Sequence, residues 1–172
     1  MIENARRKSI RLNGYDYSQC GAYFITMVVQ NRLNLFGEIN DSNIDLNPAG
    51  IMIEKWWNEI AKKFTDIELD ALIIMPNHVH GIIVNVGSES NSQNMNRSAG
   101  TPLPQIIQWF KTMSTNEYIR YVKKLSWVRF DGSLWQRNYY DRIIRNPQEL
   151  EAIRSYIQAN PMNWVKDKEN HP

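Results

Sequence analysis

The sequence predicts an α+β fold: an antiparallel sheet with helices packed on one face, plus a C-terminal helix. Three observations predict it. Segments with strand-like and helix-like hydrophobic patterns follow one another in the order β-α-β-β-α-β-α. Two of the strands are parted by Pro76-Asn77 alone, which makes them a hairpin. The last helix is bounded by Asn146-Pro147 at one end and Pro161 at the other.

Each element has a local reason. "AYFITMVVQ" (22–30) is rich in aromatic and β-branched residues and predicts a strand. Asn47-Pro48 supplies an N-cap and a proline for the first helical position. Ile53, Trp56, Trp57, Ile60 and Phe64 then follow at helical spacing. "IELDALIIM" (67–75) and "HVHGIIVNV" (78–86) are the hairpin strands. Residues 87–101, rich in Ser, Asn and Gly, predict a flexible surface loop. Residues 103–125 read as a helix with a break near Ser114-Thr115. Residues 133–145 read as a strand and turn. Residues 146–160 form the cleanest helix, with Glu149 at the capping-box position. This order is the split β-α-β, ferredoxin-like pattern with one helix added.

The chain's 172 residues suit a single domain. No apolar run of eighteen residues exists, so no membrane span is expected, and the opening segment lacks the apolar stretch of a signal peptide. The lone Cys20 rules out an internal disulfide, fits a reducing cytoplasm, and is expected to be a small packed residue. Net charge is only +2, but its distribution is uneven. Residues 41–70 carry seven acids against three lysines, whereas residues 102–130 carry five bases against Glu117. Arg6, Arg7, Lys8 and Arg11 add a basic N-terminal arm. One basic side points toward a polyanion.

Two of the chain's three histidines stand in "MPNHVHGIIV" (75–84). Side chains two apart on a strand share a face, so His78 and His80 project together and Val79 projects away. Such a pair can grip one metal ion or one phosphate. An arbitrary H-x-H is two ordinary histidines at a strand start. Here the strand runs on into the core, and imidazoles at a buried edge need polar partners. On the last helix, Glu149, Tyr156 and Asn160 share one stripe beside the packing stripe Leu150, Ile153 and Ile157. By spacing alone Tyr156 is a half-buried packing residue and Asn160 a polar helix end before proline.

Four segments together carry a resemblance: "RKSIRLNGYDYSQCGAYFITMVVQNRLNLFGEI", "MPNHVHGIIV", "LWQRNYYDRIIRN" and "SYIQANP". In this order and spacing they resemble the single-tyrosine HUH transposases, and within them the REP-associated tyrosine transposases. The resemblance implies that His78 and His80 are metal ligands, that Tyr156 is the nucleophile, and that Asn160 is a third, amide-type ligand. Tyr139 and Tyr140 compete for the nucleophile's role on their own merits, but the family's tyrosine lies in the helix. Arg142 departs from the histidine that many relatives carry there.

The implied activity is cleavage and rejoining of single-stranded DNA beside hairpins, with Mg2+ or Mn2+ offsetting charge on the phosphate. It implies a 5′-phosphotyrosine link and a released 3′-OH, which stores the energy of the broken bond without ATP. Free tyrosine ionises only at about pH 10, so its hydroxyl needs help. For DNA contact, "IRYVKKLSWVRF" (119–130) interleaves Arg120, Lys123, Lys124 and Arg129 with aromatic rings. An amphipathic helix with a solvated basic face and packed rings explains the same pattern equally well. Trp135, Gln136 and Arg137 either touch DNA or hold the sheet. The expected protein is a monomer or homodimer of the bacterial cytoplasm and nucleoid. The rivals are a hairpin-binding protein that does not cut, a replication-initiator or relaxase-like nickase, and a structural metal protein.

Overall fold

In this computed structural model, which describes residues 14–87 and 99–166, the chain runs β1 (Gly21–Val28), β2 (Gly37–Asn40), β3 (Asn43–Leu46), α1 (Pro48–Lys63), β4 (Ile67–Ile74), β5 (His78–Asn85), α2 (Leu103–Leu125), β6 (Tyr140–Ile144) and α3 (Pro147–Ala159). A 3-10 segment, Pro161–Lys166, follows α3. Four strands form one antiparallel sheet in the order β4-β5-β1-β6. The expected α+β, ferredoxin-like order is therefore present. Arg6, Arg7, Lys8 and Arg11, and residues 88–98 of the predicted flexible loop, lie outside the described residues. Among the described residues, no helix is long and apolar enough to cross a membrane.

Strand alternation divides the side chains between two faces. Tyr23, Ile25 and Met27 of β1 join Val79 and Ile83 of β5 beneath α1 and α2, where Ile53, Trp57, Ile107 and Phe110 complete the larger core. The other face carries a smaller cluster in which Ile82 and Ile144 meet Ile153 and Ile157 of α3. The first two helices thus cover one face, and the C-terminal helix covers the opposite one. Asn47 caps α1 as its sequence predicts: its Oδ1 accepts the Ala49 and Gly50 amides at 2.9 and 3.0 Å.

Gly81 is where the large core tolerates no side chain. A Cβ there would lie 2.3 Å from Trp57 Cζ2 and 2.5 Å from Cη2, and Trp57 is itself buried. Gly81→Ala should destabilise the fold by about 1–3 kcal/mol, lowering Tm by roughly 2–10 °C. Thermal unfolding checks this, and Trp57→Phe added to Gly81→Ala should recover part of the loss.

Several sequence expectations need correction. Residues 37–46, to which the sequence assigned no element, form a second hairpin of β2 and β3. Its turn places Asp41 and Ser42 at φ 47° and 65°, the left-handed geometry of a two-residue hairpin loop. No break occurs at Ser114-Thr115. The Ser114 hydroxyl donates to the Phe110 carbonyl (2.7 Å) and accepts the Trp135 indole N–H (3.0 Å), so α2 continues through it. The predicted strand at 133–145 shortens to Tyr140–Ile144, with a single bridge from Trp135 to Val29. Cys20 is exposed and not packed.

Candidate active site

The site lies on the α3 face of the sheet. β1 and β5 pair with Thr26 opposite His80, so Phe24, Thr26, His78 and His80 share that face. His78 and His80 are buried, and their ring centroids are 4.5 Å apart. Each imidazole has an oriented partner. The Thr26 hydroxyl lies 2.8 Å from His80 Nδ1, and Asn77 Oδ1 lies 2.8 Å from His78 Nδ1. Both Nδ1 atoms are engaged within the protein. His80 Nε2 faces α3, where the Tyr156 hydroxyl lies 3.5 Å away.

Tyr156 is 44 % exposed, and its ring stands edge-on to Phe24 and to His80. One turn on, Asn160 is buried, and its Oδ1 accepts no hydrogen bond among the described residues. A buried carbonyl oxygen without a donor is costly. Its neighbours in sequence bracket the imidazoles: Tyr156 meets His80, and Trp164 stacks on His78 with centroids 6.0 Å apart. Imidazole nitrogen and amide oxygen are donor types that suit a divalent cation. Among the described residues, no group of three His, Cys, Asp or Glu side chains offers an alternative cluster.

Two ion pairs hold α3 over this face. A bulge between Leu69 and Leu72 adds a residue to β4 where Asp70 stands. Asp70 receives Arg154 of α3 through two bonds, 2.9 and 2.5 Å long. Those bonds hold the Asp70 carboxyl below its ordinary range. At the helix start, Asn146 Oδ1 accepts the Glu149 amide at 2.7 Å. The Glu149 carboxylate reaches back to the Arg145 amide at 2.9 Å and pairs with Arg142 at 2.6 Å. Arg142 therefore anchors α3 to β6.

The lowered Asp70 value sets the pH window. A depressed carboxylate stabilises above its unfolded pKa of about 3.9 and loses that contribution as pH falls through the folded value. The clamp is intact at neutral pH and releases only in acid. Because Arg154 is 38 % exposed, Asp70→Asn should cost no more than about 1 kcal/mol, or roughly 2–4 °C in Tm. Thermal scans at neutral pH check this, and the difference between variant and wild type should vanish in strong acid.

The structure separates the other candidates. Tyr139 is buried in the helix-side core, whereas Tyr140 is exposed and pairs with Thr26 on the imidazole face. Arg120, Lys123, Lys124 and Arg129 are exposed in and just beyond the last turns of α2, on the helix layer across the sheet from the imidazoles. The aromatic residues between them are packed. Tyr118 is buried, and Tyr121, Trp127 and Phe130 lie against it or one another. The packing alternative holds for these rings. Trp135 is core, while Arg137 is exposed. Sequence reading missed Thr26, Phe24 and Trp164, and it gave Asn77 no role. Strand parity opposite His80 marks the first two only once the register is known.

Comparison with known proteins agrees with this fold. The family model for IS200-like transposases matches residues 18–160. An uncharacterized protein of Haemophilus influenzae is 35% identical over 175 residues, covering 94% of this chain and 92% of the relative. Among solved structures, a REP-associated tyrosine transposase bound to a REP hairpin superposes with a TM-score of 0.57 at 16% identity. The match covers 89% of this chain and 73% of that one. A candidate transposase from Deinococcus radiodurans gives 0.50 at 18% identity, over 86% and 95% of the two chains. By the match over residues 18–160, this chain belongs to the IS200-like transposase family.

Proposed function

We propose that this transposase nicks and rejoins single-stranded DNA beside hairpins through a 5′-phosphotyrosine intermediate, with Tyr156 as the nucleophile. The observation that carries the reading is the 3.5 Å approach of the Tyr156 hydroxyl to His80 Nε2 within one chain. The hairpin is the ligand of the REP-associated structural neighbour, and it comes to this chain as part of the proposal.

His78, His80 and Asn160 would hold Mg2+ or Mn2+, which when bound offsets the negative charge that builds on the phosphoryl oxygens. All three side chains bring no negative charge of their own, so the site does not repel a phosphodiester. Tyr156 is exposed enough for its oxygen to meet phosphorus, while Phe24 and His80 limit the swing of its ring. In the covalent step the Tyr156 oxygen bonds to phosphorus and the bond from phosphorus to the 3′ oxygen breaks. The phenol gives up its proton, and the 3′ oxygen ends as a hydroxyl. Attack by a 3′-OH on the phosphotyrosine reverses these changes and rejoins a strand. Exposed Arg120, Lys123, Lys124, Arg129 and Arg137 are assigned to phosphates away from the cut strand.

The test is incubation with a hairpin-bearing oligonucleotide and Mg2+ or Mn2+, followed by a denaturing gel. A covalent protein–DNA band supports the reading. Tight hairpin binding with no band would leave a hairpin-binding protein that does not cut.

A further inference from the structure

We propose that Asn77 is a positioning residue that fixes the plane and tautomer of His78, placing the proton on Nδ1 and leaving the Nε2 lone pair for a ligand. The inference rests on reading His78 as a metal ligand, and it adds a residue that this reading does not name. Asn77 is 1% exposed. Its Nδ2 donates to the Arg32 carbonyl at 3.2 Å, and that bond decides which way the amide faces. Oδ1 then lies 2.8 Å from His78 Nδ1. An amide oxygen only accepts, so the proton between them belongs to Nδ1.

The turn that presents Asn77 is immobilised from several sides. The Val29 amide donates to the Asn77 carbonyl at 2.8 Å. The Leu35 and Phe36 amides both donate to the Pro76 carbonyl, at 2.8 and 3.0 Å. The Met75 amide closes the hairpin onto the His78 carbonyl at 2.8 Å. Such rigidity orients a ligand ring before its ligand arrives. His80 is held differently. Its Nδ1 partner is the Thr26 hydroxyl, which both donates and accepts and therefore leaves that ring's tautomer open. The two imidazoles are asymmetric, and Asn77 makes them so.

The test compares wild type with Asn77→Ala and Asn77→Asp. Both variants lose the bond to the Arg32 carbonyl, but the aspartate keeps an acceptor for Nδ1–H. Long-range proton–nitrogen NMR on the metal-free protein, at alkaline pH where the rings are neutral, reads the tautomer. Wild type and Asn77→Asp should show Nδ1–H at His78, and Asn77→Ala should lose that preference. Mn2+ titration followed by EPR should show affinity falling about 10- to 100-fold in Asn77→Ala and returning in Asn77→Asp. An Nε2–H form at His78 in wild type would overturn the proposal. So would Asn77→Asp failing as completely as Asn77→Ala, because a purely structural role predicts that result. A wild type that binds no Mn2+ overturns the metal reading, while the tautomer spectrum still judges Asn77 by itself.

Discussion

Tyr156→Phe should leave a folded protein that binds hairpin-bearing DNA like the wild type and forms no covalent adduct. The substitution removes only the hydroxyl. The ring keeps its edge contacts with Phe24 and His80, and at 44 % exposure the lost oxygen leaves no buried void. A transesterification without its nucleophile should fall by at least about a thousand-fold. The control is Tyr140→Phe. Tyr140 is the other exposed tyrosine facing the imidazoles, so cleavage that survives loss of Tyr156 and disappears with loss of Tyr140 would transfer the role. Unchanged cleavage in both would show that neither tyrosine is the nucleophile.

Replacing either imidazole should be nearly as severe. His78→Ala or His80→Ala removes one of three donors and should weaken Mn2+ binding by more than about a hundred-fold, since losing a mere orienting partner already costs 10- to 100-fold. The covalent band should vanish with the metal, and hairpin binding should persist. Both variants carry a stability cost as well. Each opens a small cavity at a buried position and strands a partner, Asn77 or the Thr26 hydroxyl. Melting curves run beside the Mn2+ titration separate the two effects. Affinity unchanged in a folded His78→Ala protein would refute the ligand assignment.

How much of this was legible beforehand depended on the kind of signal. Two of the helices, α1 and α3, declared themselves through caps: Asn47 and Asn146 each sit one residue before a proline, and both accept the amides that their positions predict. The large core followed from periodicity, and the shared face of His78 and His80 followed from strand alternation. The β2–β3 hairpin was missed because its strands are four residues each and mostly polar. Only Ile39, Ile44 and Leu46 hint at alternation, and its turn rests on Asp41 and Ser42, with no glycine to mark it. The side of the sheet that α3 occupies was also not legible. It depends on Ile153 and Ile157 finding Ile82 and Ile144, and on a bulge that aims Asp70 at Arg154. Phe24, Thr26 and Trp164 reach the imidazoles only through pairing register and chain reversal, which no local pattern encodes.

The unequal cladding of the two sheet faces has a consequence for how this protein lives and wears. One flank is a deep apolar block; the other is a single helix whose Ile153 and Ile157 meet Ile82 and Ile144 in a small apolar cluster, flanked by two ion pairs. The helix that bears the phenol stands on the lighter side of the sheet, and its amides should exchange with solvent faster than those of β1 and β5. The imidazoles sit on β5, inside the heavier unit, so only the phenol's half of the site shares that local looseness.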